Sequence, residues 1–142
     1  MADLSSLIRL HKHELDEKQR ALGLLYDKIS QLESRRDTIT ERREKEMESA
    51  TQNPETVTYT LSGFLEKSKA QEEEINARIF TVRQEIEEAR DEMLESFAEL
   101  KKYELTQQQR EKIEAEERKL KEGKMFDDIA IQGFRRKQED NQ

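Results

Sequence analysis

The sequence contains no cysteine and no tryptophan, and only one proline and four glycines among its 142 residues. Without cysteine the chain has neither disulfide bonds nor thiolate metal sites. No apolar run approaches the roughly 20 residues that a membrane-spanning helix needs. The start of the chain, MADLSSLIRLHKHELDEK, lacks the apolar core of a signal peptide. These absences predict a cytoplasmic protein without direct membrane insertion.

Charged residues are abundant. They make up 42% of the chain, against 32% for the hydrophobic set, whereas a typical domain has about 25% charged residues. Such a composition is typical either of disorder or of long helices with a narrow apolar stripe, and the periodicity of the apolar residues favours helices. The net charge is −7 and no basic stripe is formed, so we predict no nucleic-acid binding.

In the first third of the chain, a seam of mostly apolar residues recurs at alternating steps of four and three. Its members are Leu4, Ile8, His11, Leu15, Lys18, Leu22, Leu25, Ile29, Leu32, Arg36, Ile39 and Arg43. This spacing is that of the a and d positions of a coiled coil. It predicts a first helix over about residues 3–51.

Asn53-Pro54 is the strongest helix breaker in the chain and predicts a turn over about residues 52–57. A second seam follows it, formed by Leu61, Leu65, Ser68, Glu72, Ile75, Ile79, Val82, Ile86, Ala89 and Met93. A shift of one residue then carries it to Phe97 and Leu100, which predicts a stutter in the supercoil. The second helix is expected over about 58–136, with a frayed C-terminus over 137–142.

Two seams joined by a short turn predict an all-α fold, in which residues 1–142 form one domain with two long helices in an antiparallel coiled-coil hairpin. If facing positions sum to about 111, Leu32 faces Ile79 and Leu25 faces Ile86. Near the turn the first seam contains Arg36 and Arg43, and Glu72, Glu73 and Glu74 lie opposite, so ion pairing between these groups is expected to fix the register there. The second helix is longer than its partner and is expected to end in a C-terminal overhang.

The overhang carries an apolar cluster in the stretch KMFDDIAIQGFRRK, residues 124–137. We define this apolar cluster as Met125, Phe126, Ile129, Ala130, Ile131 and Phe134. Burial of such side chains is favourable, so the cluster needs a surface to pack against. Three destinations are open: the first turns of helix 1 near Leu4, Leu7 and Ile8, a second copy of the chain, or another protein.

Catalytic chemistry has little support. His11 and His13 are two residues apart, so on a helix they point in different directions and do not share a metal. Clustered glutamates on a two-helix rod have no pocket that would separate their pKa values. We therefore predict no enzyme, metal site or cofactor. Near the turn, Tyr59 and Phe64 form either a second contact site or a support for the turn itself.

Three stretches of the sequence resemble the family of the flagellar type III export protein FliJ, in its alphaproteobacterial form. They are SLIRLHKHELDEKQR, LESFAELKKYELTQQQREKIEAEERKL and FDDIAIQGFRRK. The resemblance implies an antiparallel coiled coil similar to the central stalk subunit of rotary ATPases. It also implies three kinds of partner, namely the flagellar export ATPase ring, a membrane export gate protein and export chaperones.

By the same resemblance, the ring contact involves Phe126, Ile129, Phe134, Arg135 and Arg136. Arg9 of helix 1 lies nearer the same end. The implied location is the cytoplasm, at the periphery of the flagellar export apparatus on the inner membrane. Two alternatives stay open, a prefoldin-like holdase chaperone subunit and a structural coiled-coil spacer.

Overall fold

The fold consists of two long α-helices. A computed structural model describes residues 3–52 and 58–141, with the backbone alone for Thr58 and Tyr59. The helices are α1 (Ser5–Gln52) and α2 (Thr58–Asp140), and the described residues contain no strand. Residues 53–57 of the predicted turn lie outside the described residues. The all-helical class and the greater length of the second helix, 83 residues against 48, are confirmed.

Helix α2 continues to Asp140, so residues 137–140 are helical where a frayed end was expected. Lys137 lies in the last turn of this helix. A cation at this position interacts favourably with the carbonyl end of the helix dipole, which supports the last turn.

The chain divides into two compact units. The central unit is His13–Phe97, and the terminal unit combines Met1–Lys12 with Ala98–Gln142. The core of the central unit contains four buried members of the second seam, of which Ile79 and Val82 are only 2% exposed. Leu22 and Leu32 of the first seam lie in the same cluster, and Leu25 packs against it. The two predicted seams therefore form one core, while the individual pairings stay predictions.

Three polar contacts join α1 and α2 in the central unit, and their order along α1 is the reverse of their order along α2. A nitrogen of Arg43 lies 2.6 Å from a carboxylate oxygen of Glu72, Glu33 lies 3.6 Å from Arg83, and Lys18 Nζ donates to Ser96 Oγ at 2.6 Å. As the residue number falls along α1, that of its partner rises along α2. The antiparallel arrangement of the pair is therefore confirmed within this unit.

The ion pair between Arg43 and Glu72 changes the titration of the carboxylate. The hydrogen bond from Arg43 is the main cause that holds the pKa of Glu72 below its ordinary value, and the charge of Arg43 acts in the same direction. Arg36 adds a weaker electrostatic contribution to the lowered pKa of Glu72. The predicted contact between seam arginines and the glutamates of α2 is thus present, with Glu72 as the partner.

The predicted stutter is wrong. Ser96 is 7% exposed, whereas Phe97 is 46% exposed. The second seam therefore keeps its alternating steps beyond Met93 by passing through Ser96. A small hydroxyl is accommodated at this position because Lys18 donates a hydrogen bond to it. The larger hydrophobicity of Phe97 gave the misleading signal.

In the terminal unit, the start of α1 is tied to α2 by Gln107. The Leu4 N–H donates to Gln107 Oε1 at 3.2 Å, and Gln107 Nε2 donates to Asp3 Oδ1 at 2.9 Å. The same Asp3 oxygen accepts from the backbone N–H and the hydroxyl of Ser5. These bonds, with those from the Ser5 hydroxyl first, lower the pKa of Asp3. They satisfy donors that helix geometry leaves free at the first turn.

Candidate protein-binding site

Beyond Arg110 the described part of α2 is exposed at every position. We call residues 111–141 the exposed segment. An α-helix makes its backbone hydrogen bonds within itself, and polar side chains are favourably solvated by water. The polar part of this segment therefore needs no second element to cover it. The apolar cluster lies near the end of the exposed segment, where its side chains meet solvent.

The predicted site residues of the cluster are among the most exposed apolar side chains of the protein. Phe126 is 72% exposed, Ile129 is 62% and Phe134 is 63%. The return of this cluster onto Leu4, Leu7 and Ile8 is therefore wrong for the described structure. Leu4, which precedes α1, and Leu7 and Ile8 of α1 are half-buried.

Charged residues lie within the apolar cluster and directly after it along the chain. Asp127 and Asp128 lie within it, while Arg135, Arg136 and Lys137 follow Phe134 directly, and all five are exposed. The two predicted arginines are thus accessible beside exposed aromatic rings. This combination of apolar and basic groups is suited to a protein surface with apolar and acidic groups.

Arg9 is also exposed, but it is not brought together with the apolar cluster. Two residues further along α1, His11 stacks on Tyr103 with ring centroids 4.8 Å apart. Its Nδ1 lies 3.9 Å from a carboxylate oxygen of Glu99. From Tyr103 to Phe126 the helix advances by about 35 Å. A partner that contacts both Arg9 and Phe126 therefore spans that length.

Of the second predicted contact site, Tyr59 and Phe64, the structure describes the side chain of Phe64. Phe64 is half-buried, and the guanidinium carbon of Arg42 lies 5.6 Å from its ring centroid. This cation–π geometry holds Phe64 against α1. The side chain of Tyr59 lies outside the described residues. Packing near the turn thus accounts for Phe64, and a role of both residues in binding stays a prediction.

Sequence reasoning missed three polar contacts between the helices: the pair of Lys18 with Ser96, the contact of Arg42 with Phe64, and the role of Gln107 at the start of α1. A signal for the last was present, because Gln107 continues the alternating steps from Leu100 through Tyr103. Gln107 is polar, so hydrophobicity alone does not extend the seam to this position.

Within residues 3–52 and 58–141, no group of three or more histidine, aspartate or glutamate side chains is placed to hold a metal ion. In the same part of the chain, neither helix offers an apolar stretch of the length that a bilayer requires. The site that the geometry does offer is an exposed helical surface.

These features define a class, that of all-helical coiled-coil proteins with an exposed helical segment suited to binding another protein. A family model described as Flagellar FliJ protein matches residues 1–139. The chain belongs to the FliJ family of flagellar proteins. Two relatives named Flagellar FliJ protein, from two strains of Caulobacter vibrioides, are each 29% identical over 127 residues, which cover 89% of this chain and 91% of the relative. No solved structure gives a significant match.

Proposed function

We propose that the chain is a non-catalytic, stalk-like component of the flagellar protein export apparatus. In this proposal the C-terminal stretch of the exposed segment around Phe126, Ile129 and Phe134 binds the ring of the export ATPase and promotes its assembly and activity. The observation that carries the proposal is the exposure of Phe126, Ile129 and Phe134 near the end of an 83-residue helix. Removal of apolar surface from water is favourable by about 25 cal/mol per Å² before the costs of association, so a partner surface that covers these side chains gains binding energy.

Membership in the FliJ family supports the flagellar setting of this proposal. The proposal includes contacts with a membrane export gate protein and with export chaperones, and a cytoplasmic location at the export apparatus on the inner membrane. Arg135 and Arg136 are assigned to the ring contact because they are exposed and follow Phe134 directly. Arg9, Tyr59 and Phe64 stay candidates for further contacts.

The test is the ATP turnover of the purified export ATPase at increasing concentrations of this protein. The full chain is compared with a version cut after Lys119, which lacks the apolar cluster and keeps the central unit. We expect stimulation by the full chain and none by the shortened one. A full-length Glu116→Gln variant, changed in the polar part of the exposed segment, is the matched control and should stimulate like the unaltered chain. Equal turnover with and without the full chain would contradict the proposal.

The holdase alternative receives less support from the fold. A prefoldin-like subunit is expected to carry strands between its helices. The sequence VTYT, residues 57–60, is the strand-like run between the two seams. Thr58, Tyr59 and Thr60 instead form the start of α2. A stable hexamer in solution would favour this alternative. The spacer alternative predicts that loss of the apolar cluster changes nothing, which the truncation test measures directly.

A further inference from the structure

The apolar cluster is arranged mainly on one side of its helix. Each residue of an α-helix is rotated by about 100° from the one before. On this basis one half of the circumference holds Met125, Phe126, Ile129, Ala130, Gly133 and Phe134. We call these six residues the docking face. The four large ones, Met125, Phe126, Ile129 and Phe134, are all 62% exposed or more.

The opposite side of the same helix is charged. It carries Lys121, Lys124, Asp128 and Arg135, which are all exposed. Ile131 lies among these charged residues and is 52% exposed. Ile129 and Ile131 are rotated by about 200° from each other, so they point in nearly opposite directions. The chain thus has two exposed isoleucines, two residues apart, on different sides of one helix.

The two sides differ in what burial would cost. Covering the docking face removes apolar surface from water, which is favourable. Covering the charged side removes ionised groups from water, which is costly unless each one gains a partner. A wall of identical subunits that surrounded the helix evenly would present the same chemistry to both sides and would bury the charges as well.

We propose that the segment docks by the docking face alone, against an apolar patch on one subunit of the ATPase ring at a time, with its charged side turned away from that patch. This inference rests on the proposed function and specifies how the contact is made. It assigns Phe126, Ile129 and Phe134 to the contact and places Ile131 outside it. Of the two arginines assigned to the ring above, it keeps Arg136, which lies on the side of the docking face, and removes Arg135, which lies on the charged side.

A second copy of the chain is a poorer occupant of this face. The face extends over residues 125–134, which is about 15 Å of helix. The preceding positions on the same side are Arg118, Lys119 and Glu122, and the face is followed by Arg136 and Lys137. Two-stranded coiled coils are recognised by three to four continuous heptads of apolar residues. The face is too short for that kind of self-association.

The test uses the two isoleucines as a matched pair. Full-length Ile129→Lys and Ile131→Lys variants are titrated into the purified export ATPase, and the concentration that gives half-maximal stimulation is measured. Both positions are exposed, and circular dichroism checks that both variants keep the helical content of the unaltered chain. For Ile129→Lys we expect this concentration to rise about tenfold or more, as for a buried anchor residue. For Ile131→Lys we expect less than about a twofold change.

Equal losses in the two variants would overturn the one-sided contact and favour a partner that encloses the helix. Equal indifference would overturn it as well, since Ile129 would then lie outside the interface. Sedimentation of the unaltered chain as a dimer that Ile129→Lys dissociates would reassign the face to a second copy. Failure of the unaltered chain to stimulate the ATPase is a different result, which contradicts the proposed function itself.

Discussion

Two stretches of α2 carry large apolar side chains, which are buried in one stretch and exposed in the other. In the central unit, Ile79 and Val82 are 2% exposed, whereas Phe126 in the exposed segment is 72% exposed. Both stretches are helical, since helix formation satisfies the backbone wherever it occurs. The difference therefore concerns side-chain burial, which requires a second element, and not secondary structure.

The phase of the apolar residues distinguishes the two stretches. Ile79 and Val82 keep the alternating steps of four and three that the first seam also has. The same steps continued beyond Gln107 reach Arg110, Glu114 and Glu117. Continued further, these steps reach Ile131, whereas the other five members of the apolar cluster are out of phase with the seam. Those five residues do not extend the packing of α1 on α2 and are exposed.

The strongest test of this comparison replaces one isoleucine from each stretch. Ile79→Ala removes a buried side chain and leaves a cavity, so we expect it to lower the free energy of unfolding by about 2–4 kcal/mol. Ile129→Ala changes an exposed position, and we expect less than about 0.5 kcal/mol. Urea unfolding of both full-length variants, followed by circular dichroism, measures the two effects. Similar losses at the two positions would show that the exposed segment packs against part of its own chain.

The second test compares two buried serines of α2. Ser96 accepts a hydrogen bond from Lys18, while the hydroxyl of Ser68 has no hydrogen-bond partner among the described residues. Removal of one member of a bonded pair is destabilising, so Ser96→Ala should cost about 0.5–1.5 kcal/mol. Removal of an unbonded buried hydroxyl relieves a desolvation penalty, so Ser68→Ala should be neutral or stabilising by up to about 1 kcal/mol. Urea unfolding checks both signs, and a loss of stability in Ser68→Ala would reveal a partner of its hydroxyl.

Much of the fold is predictable from the sequence because burial follows the period of the seams. Every member of the first seam from Leu4 to Arg43 is buried or half-buried, including the polar members His11 and Lys18. The period predicted burial there better than hydrophobicity did. After Met93 the period places Ser96 in the seam, whereas hydrophobicity favours Phe97. The prediction that follows hydrophobicity is wrong at this position.

The candidate site was predictable only in part. Sequence spacing places the apolar cluster on a helix. Burial of its side chains against the same chain or against another protein removes the same apolar surface from water, so the hydrophobic free energy does not distinguish the two. The choice between them depends on whether α1 reaches the cluster, and this is a tertiary property. In the described structure the large residues of the cluster are exposed, and α1 begins at Ser5 with its cap in contact with Gln107. The partner named in the proposal rests on membership in the FliJ family and not on packing.

The third test uses glycines, which weaken helices wherever they occur in the interior. A Cβ atom added at Gly23 or at Gly123 would have nothing within 4 Å. We therefore expect Gly23→Ala to stabilise the central unit by about 0.5–1 kcal/mol. Gly123→Ala should slow local hydrogen exchange around residue 123 and leave the urea midpoint unchanged, because that stretch buries nothing. A rise of the urea midpoint in Gly123→Ala would mean that the exposed segment unfolds together with the core.

The smallest effect on the free energy of unfolding is expected from the ion pair between Arg43 and Glu72 in the central unit, and it appears only at acidic pH. Because Arg43 holds the pKa of Glu72 below its ordinary value, the ionised carboxylate stabilises the fold above the pKa of the unfolded chain. This contribution is lost as the pH falls through the lowered pKa of the folded chain. The stability of a Glu72→Gln variant should therefore depend less on pH than that of the unaltered chain between about pH 6 and pH 3.

Urea midpoints across that range measure the difference, and added salt should reduce it because the pair is partly exposed. Glu73→Gln is the matched control, since it removes one exposed charge next to the same site. The exposed segment supplies the other half of the comparison. Asp128 is exposed in a stretch that is exposed at every position, so Asp128→Asn should leave the urea midpoint unchanged. A midpoint shift in Asp128→Asn as large as that in Glu72→Gln would show that the exposed segment contributes to the stability of the two-helix core.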